Sequence, residues 1–158
     1  MLPELSTCTI TVIGLGYVGL PLAIEFVKIQ KCLRTKKDLK RKIIGFDIDI
    51  ERIKELKNNH DKTGEISSNE LAANHKINFT SNVENICDAD VYIVTVPTPI
   101  DNAKRPDINP IKKACQSIGN SIKKRTQLKK SCPVIIFEST VYPGLTEDIC
   151  VKIIEDFS

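Results

Sequence analysis

The stretch that decides the fold is TITVIGLGYVGLPLAIEFVKIQ, residues 9–30. Residues 9–13 are all β-branched and end at a glycine, which predicts a buried parallel strand. Residues 17–30 carry apolar side chains at helical spacing, which predicts a helix after the turn. A strand, a glycine-rich turn and a helix in this order indicate the beginning of a βαβ unit.

The turn has the pattern G-x-G-x-x-G, formed by Gly14, Gly16 and Gly19. With a predicted strand before it and a predicted helix after it, this pattern predicts a dinucleotide-binding loop. Gly14 permits the tight turn, Gly16 lets the backbone approach a pyrophosphate, and Gly19 lets the helix pack closely on the strand. Free N–H groups and the helix dipole then favour the phosphate anion. The alternative is a tight turn with a structural role only.

Residues 10–27 form an apolar run of nearly membrane-spanning length. Three glycines, Pro21 and Glu25 interrupt this run, and no basic segment or small-residue cleavage site accompanies it. Both a spanning helix and a signal peptide are therefore disfavoured. We expect no membrane segment.

The remainder of the chain continues the alternation of strands and helices. Further strands are predicted at residues 43–47, 77–80, 91–96 and 134–137. Further helices are predicted from Asp49 to about residue 58, at 70–75, at 108–124 and after Gly144. Short apolar strands between helices indicate an α/β fold, a Rossmann-type doubly wound parallel sheet with helices on both faces. We expect residues 1–158 to form one domain.

Asp47 ends the second predicted strand, where an acidic side chain bonds the ribose hydroxyls of NAD and repels the additional phosphate of NADP. It follows Gly19 by more than the usual interval of roughly 20 residues, and a basic insertion at residues 31–42 accounts for the surplus. The alternative is that Asp47 caps the next helix, although Asp49 suits that role better. Arg52, one turn into that helix, either faces the adenosine or is a solvated surface residue.

Two more groups of polar residues follow predicted strands, and ligands of open parallel sheets bind beyond the carboxyl ends of the strands. Pro97 and Thr98 follow the fourth strand and are expected to border the cofactor. Glu138 and Thr140 follow the fifth strand, with Thr140 on the nicotinamide side and Glu138 as a buried anchor or supporting group. The alternatives are a rigid proline-rich turn and a Ser or Thr that caps the last helix.

The composition excludes several classes of protein. A net charge of +3 is too small to indicate nucleic-acid binding, and the basic insertion has no aromatic residue for base stacking, so we expect a solvated loop there. The six cysteines include no C-x-x-C pair, and His60 and His75 are expected at the surface. We therefore expect no metal site and reduced cysteines in a cytoplasmic protein.

Four motifs in this order resemble the N-terminal domain of the UDP-glucose/GDP-mannose dehydrogenase family. They are GLGYVGLP at 14–21, GFDI at 45–48, VPTP at 96–99 and ESTV at 138–141 with a following Pro-Gly at 143–144. Within the family, residues 59–66 and the loop at 97–107 are similar to the UDP-N-acetylhexosamine 6-dehydrogenases of bacterial surface polysaccharides, including the Vi-antigen type. The resemblance covers essentially the whole chain.

This resemblance implies a double oxidation of the C6 hydroxyl of a UDP-sugar to the uronic acid by two NAD molecules in turn, through a cysteine thiohemiacetal and thioester. It implies that Tyr17, Val18, Asp47, Thr98 and Thr140 contact NAD and that Thr140 also places the hydrolytic water. The family's nucleophilic cysteine matches none of the six cysteines present, so we expect this chain to be an inactive fragment of a homodimeric enzyme.

Two other classes of protein stay open from the sequence. One is a stand-alone NAD-binding module without catalysis. The other is a 3-hydroxyacid or 6-phosphogluconate-like dehydrogenase, which shares the glycine loop but often prefers NADP. A UDP-sugar substrate and the absence of nucleic-acid and membrane partners are expected for the whole protein.

Overall fold

Five strands and five α-helices alternate in the computed structural model, which describes residues 2–100, 106–128 and 131–158. The strands are β1 (Thr9–Ile13), β2 (Lys42–Phe46), β3 (Asn78–Thr80), β4 (Val91–Val94) and β5 (Val134–Phe137). The helices are α1 (Gly19–Lys28), α2 (Ile50–Lys57), α3 (Ser68–Ala73), α4 (Asn109–Gln127) and α5 (Val151–Phe157).

All five strands are parallel and form one sheet in the order β3-β2-β1-β4-β5. This is the order of the first five strands of the Rossmann fold, and the strand order reverses beside β1. The carboxyl ends of β1, β2 and β4 therefore open the crevice in which such sheets bind their ligands. The predicted Rossmann-type fold is confirmed.

Two apolar clusters cover the two faces of the sheet. One contains side chains of α1, α2 and α3, and the other contains side chains of α4, α5 and a 3₁₀ turn at Val83–Ile86. Because both faces are covered, β1, β2 and β4 are almost entirely buried, and their sequences are predominantly apolar on both faces rather than alternating. The expected placement of helices on both faces is confirmed.

The bounds of several elements differ from the prediction. Helix α1 begins at Gly19 rather than residue 17 and ends at Lys28 rather than residue 30. Strand β4 ends at Val94, two residues early, and the Thr95 hydroxyl then donates to the carbonyls of Ile13 and Gly14. The 3₁₀ turn and a π-helical turn (Thr146–Cys150) that leads into α5 were not predicted.

The basic insertion is an irregular loop at the amino ends of β1 and β2, as predicted. Lys31 and Asp38 pair as an isolated antiparallel bridge, and the intervening residues turn back on themselves. Arg41 packs over the Phe26 ring and donates to the carbonyls of Phe26 and Ile29 at the end of α1. The loop therefore lies at the opposite edge of the sheet from the crevice.

The remaining expectations concern cysteines, histidines and membrane segments. All six cysteines are free, and both histidines are exposed as predicted. Within the described ranges, no cluster of three His, Cys, Asp or Glu side chains is arranged to hold a metal ion. None of the described helices combines the length and the apolar character needed to cross a membrane.

Candidate dinucleotide site

The glycine loop joins β1 to α1 and forms the floor of the crevice. Gly14 has φ +92°, a left-handed conformation that favours glycine, and a Cβ there would lie 2.9 Å from Val96 Cγ1. At Gly19 a Cβ would lie 1.9 Å from the Gly14 carbonyl oxygen and 2.4 Å from Thr95 Oγ1. Both glycines are therefore required by close packing between the loop, α1 and β4.

Gly16 differs from the other two glycines because no atom lies within 4 Å of the position that its Cβ would take. The space in front of Gly16 is open, and α1 begins beside it without a side-chain cap and without an acidic residue in its first turn. An uncapped helix N-terminus is a binding site for anions, because its N–H groups lack partners and the helix dipole favours negative charge. The loop can therefore accept a phosphate group at Gly16.

Asp47 lies directly after β2 and faces the glycine loop. Its Oδ2 accepts a hydrogen bond from Leu15 N at 2.8 Å, and its Oδ1 accepts one from Asp49 N at 2.9 Å. The N-cap of α2 is Asp49, which accepts from the backbone N–H groups of Glu51 and Arg52. The structure therefore separates the two carboxylates as expected, with Asp49 as the cap and Asp47 in the crevice.

Arg52 is a buried residue, so the interpretation of Arg52 as a solvated surface residue is wrong. Arg52 is 3% exposed, and its Nε donates to the Leu15 carbonyl at 2.9 Å. Its Nη2 donates to Asp61 Oδ1 at 2.7 Å. The guanidinium thus connects α2 to the glycine loop while also lining the crevice beside Asp47.

The segment after α2 supplies a wall that the sequence reasoning did not identify. Lys62 and Thr63 line the same cavity as Asp47 and Arg52, and Thr63 donates its N–H and its hydroxyl to the buried Asp61. The sequence did indicate a turn here, because an Asp side chain such as that of Asp61 often bonds the backbone N–H two residues later in an Asx turn. The pairing of Asp61 with Arg52, however, depends on the tertiary fold.

A second group of residues surrounds the loops after β4 and β5. Thr98 Oγ1 donates to the Thr140 carbonyl at 3.0 Å, and Ser139 Oγ donates to the Val96 carbonyl at 2.7 Å. Tyr17 and Val18 lie opposite, 66% and 45% exposed, with their side chains at the mouth of the cavity. The two loops are therefore joined to each other and face the start of α1.

Two of the alternatives that the sequence left open for these loops are wrong. Glu138 is exposed and is not a buried anchor. No Ser or Thr caps the helical segment that follows, because Ser139 bonds the loop after β4 and the helical N-cap, Leu145, has no side-chain bond. Of the loop at 97–107, residues 101–105 lie outside the described residues.

The crevice consists of two adjoining cavities that share Gly16, Val96 and Pro97. The larger, about 330 Å³, lies on the side of Asp47 and Arg52. The smaller, about 160 Å³, lies on the side of Thr98 and Thr140. Nine of the ten predicted cofactor residues line these cavities, and Gly19 lies beneath them. The crevice has an acidic residue on one side, an uncapped helix in the middle and hydroxyl groups on the other side. This order matches the sequence of groups in a dinucleotide.

This fold and this crevice define a dinucleotide-binding domain of the Rossmann class. Residues 8–158 match the model of the UDP-glucose/GDP-mannose dehydrogenase family, NAD binding domain. The chain belongs to this family, and its cofactor is NAD. The family resemblance of the four motifs is confirmed, and a hydroxyacid or 6-phosphogluconate-like dehydrogenase is not supported.

The chain is similar to curated relatives and to solved structures of the family. It is 46% identical over 149 residues to protein CapL of Staphylococcus aureus, and 46% identical to the UDP-N-acetyl-D-glucosamine 6-dehydrogenase of Pseudomonas aeruginosa. The fold resembles a ternary complex of GDP-mannose dehydrogenase from Pseudomonas aeruginosa, with a TM-score of 0.77 at 24% identity over 94% of this chain and 32% of that one. The two curated alignments cover 94% of this chain, which spans only 31% of the length of those relatives.

Proposed function

We propose that residues 1–158 are the single NAD-binding domain of a dehydrogenase that oxidises the C6 hydroxyl of a UDP-N-acetylhexosamine to the carboxylate. The observation that supports this best is the 46% identity to a UDP-N-acetyl-D-glucosamine 6-dehydrogenase, in a chain whose two cavities meet at Gly16. NAD supplies the hydride acceptor for each of the two oxidations. We place the nucleophilic cysteine of this chemistry in a further domain of a longer, homodimeric cytoplasmic protein.

In this proposal the larger cavity holds the adenosine half of the cofactor. The Asp47 carboxylate accepts hydrogen bonds from the ribose hydroxyls, and its charge repels the 2′-phosphate of NADP. Arg52 borders the adenosine, while Gly14, Gly16 and Gly19 allow the pyrophosphate to reach the N-terminus of α1. The residues at this end therefore set affinity and the choice between NAD and NADP.

The smaller cavity holds the nicotinamide half. Tyr17 and Val18 cover one side of it, and Pro97, Thr98 and Thr140 cover the other. The bond from Thr98 uses the Thr140 carbonyl, and no group of the described residues bonds the Thr140 hydroxyl. We propose that this hydroxyl orients the water that hydrolyses the thioester, which makes Thr140 the catalytic residue contributed by this domain.

Titration calorimetry of the chain with NAD and with NADP tests the cofactor assignment, alongside Asp47→Ala. We expect NAD to bind more tightly than NADP, and Asp47→Ala to weaken NAD by about tenfold or more, because a charge-assisted hydrogen bond contributes about 1.5–3 kcal/mol. Asp156→Ala, which changes an exposed carboxylate on α5, is the matched control and should bind as the unsubstituted chain does.

Equal binding of NAD and NADP by the unsubstituted chain would contradict the role of Asp47. The catalytic part of the proposal is tested on the longer protein with UDP-N-acetylglucosamine, UDP-N-acetylgalactosamine and UDP-glucose. Formation of two NADH per sugar is the expected result. NAD binding with no oxidation of any UDP-sugar would indicate a non-catalytic NAD-binding module instead.

A further inference from the structure

Arg52 and Asp61 form a buried ion pair behind the larger cavity. The Arg52 side chain is 4% exposed and the Asp61 side chain 0% exposed, and their Nη2 and Oδ1 atoms are 2.7 Å apart. Ion pairs at such depth are costly to desolvate and persist only when further hydrogen bonds satisfy both partners. We therefore expect further hydrogen bonds to support both side chains of this pair.

The Asp61 carboxylate is fully occupied by its surroundings. Besides Arg52, its Oδ1 accepts hydrogen bonds from Thr63 N and Thr63 Oγ1. Its Oδ2 accepts from Glu65 N and Ile66 N. Five hydrogen bonds to one carboxylate fix residues 61–66 as a compact turn, and Lys62 and Thr63 of this turn form a wall of the cavity.

The Arg52 guanidinium also contacts several protein groups. Its Nε donates to the Leu15 carbonyl, its Nη2 donates to Asp61, and its Nη1 lies 3.5 Å from Glu55 Oε2. Both backbone polar groups of Leu15 are therefore bonded, because its carbonyl accepts from Arg52 and its N–H donates to Asp47. The glycine loop, α2 and the 61–66 turn are thus joined through one arginine.

An arginine near the end of the second strand has a different role in other Rossmann domains. Rossmann domains that use NADP bind the 2′-phosphate through an arginine near the end of the second strand, and arginine binds phosphate through a pair of free N–H groups. In this chain the guanidinium faces two carboxylates and a carbonyl instead. These contacts take three of its five N–H donors, and the two carboxylates offset its charge, which weakens its attraction for a phosphate.

We propose that Asp61 is a positioning residue that sets the cofactor preference, by holding Arg52 against the Leu15 carbonyl and withholding the guanidinium from a 2′-phosphate. This inference rests on the proposed cofactor site. It attributes the exclusion of NADP to two carboxylates. Asp47 repels the 2′-phosphate directly, and Asp61 pairs with the Arg52 guanidinium that would otherwise attract the phosphate.

The test is calorimetric titration of Asp61→Asn with NAD and NADP. The substitution keeps the shape of the side chain but frees Arg52 from its counter-charge. We expect NAD to bind several-fold more weakly and the ratio of the NADP to the NAD dissociation constant to fall by about tenfold, because the 2′-phosphate would then meet an Arg52 charge that Asp61 no longer balances. A loss of stability alone would weaken both cofactors equally and leave the ratio unchanged.

The double variant R52Q/D61N supplies the decisive comparison, because it removes the released cation. It should restore the ratio to near that of the unsubstituted chain, whereas an unrestored ratio would overturn the proposal. Asp156→Asn is the control for charge, and thermal unfolding of each variant checks folding. If D61N does not fold, Thr63→Val removes only the hydroxyl that bonds Asp61 and should shift the ratio in the same direction by a smaller factor.

The outcomes separate the two proposals. A chain that binds NAD selectively, with the same selectivity in D61N and in Thr63→Val, would overturn the role of Asp61 and leave the proposed function intact. An unsubstituted chain that binds neither cofactor would overturn the cofactor site and the role of Asp61 together.

Discussion

The three glycines of the loop between β1 and α1 meet different physical demands. Gly14 and Gly19 are required by contacts within the protein, whereas nothing in the described structure occupies the space in front of Gly16. Only Gly16 is therefore free to be selected for a ligand rather than for folding. The two effects can be separated by substituting each glycine in turn.

We expect Gly16→Ala to fold normally and to lose cofactor affinity. A methyl group at Gly16 meets no protein atom, so the free energy of unfolding should stay the same or rise by up to about 1 kcal/mol. The same methyl group stands where the pyrophosphate approaches, so NAD affinity should fall by about tenfold or more. Urea unfolding and calorimetric titration measure the two effects.

Gly19→Ala is the matched comparison, because its methyl group would collide with Gly14 and Thr95. It should lower the free energy of unfolding by about 1–3 kcal/mol, the usual cost of overpacking. Loss of stability in Gly16→Ala, or unchanged NAD binding in it, would contradict the assignment of this glycine to the cofactor.

Single residues differ in how far their roles could be predicted from the sequence. The glycines and Asp47 follow from the pattern of the loop and from the position after a strand, because backbone geometry at these points depends on local sequence. Arg52 and Asp61 do not, because their contact forms only when residues 59–66 fold back on α2. The sequence left two alternatives for Arg52, a residue facing the adenosine or a solvated surface residue, and its 3% exposure reflects a tertiary contact that excludes the second.

At the scale of elements, α2 and the turn after it act as one unit because Arg52 and Asp61 join them. Burial alone would raise the pKa of Asp61, but hydrogen bonds from Thr63, Arg52 and the backbone outweigh it and lower the pKa to about 2. A carboxyl whose pKa falls on folding contributes stability above its unfolded pKa and loses it as the pH falls through the folded value.

We therefore expect the difference in unfolding free energy between the unsubstituted chain and Asp61→Asn to depend on pH. The depressed pKa corresponds to about 2.5 kcal/mol that is fully present above about pH 5, and roughly half of it should be gone by pH 3. Urea unfolding at pH 7, 5, 4 and 3 measures this. A difference that stays constant over the whole range would show that the Asp61 carboxylate is not preferentially ionised in the folded state.

The elements themselves were largely predictable. Strands β1, β2 and β5 lie within one residue of their predicted bounds, because each is a short run rich in β-branched residues that ends at a glycine or an acidic residue. The ends of helices were less accurate. Helix α4 continues three residues past its predicted end to Gln127, and no capping residue in the sequence indicates where it stops.

At the scale of the whole molecule, the cofactor crevice and the basic insertion occupy opposite edges of the sheet. The crevice lies at the carboxyl ends of the strands, and the insertion joins α1 to the amino end of β2. Strand β1 has five residues, which separates the two edges by about 16 Å. The insertion and the crevice therefore lie at opposite ends of the strands, and the cavity beside the insertion shares no described lining residue with the larger crevice cavity.

We expect the insertion to be dispensable for cofactor binding. Lys31 and Asp38 already pair as an antiparallel bridge, so residues 32–37 can be replaced by Asn-Gly, which favours a two-residue hairpin turn. The shortened chain should bind NAD within about twofold of the original and unfold within about 1 kcal/mol of it, since changes in loop length cost little. Calorimetry and urea unfolding measure both, and a large loss of NAD affinity would mean that the loop supports the crevice.

The separation of the two edges bears on how this domain can evolve. At physiological ionic strength the Debye length is about 8 Å, so the charges of the insertion are largely screened at the distance of the crevice. The amino edge can therefore gain, lose or recharge sequence while cofactor binding at the other edge stays under its own selection. A lineage can acquire new surface properties there without first passing through a form that has lost its cofactor.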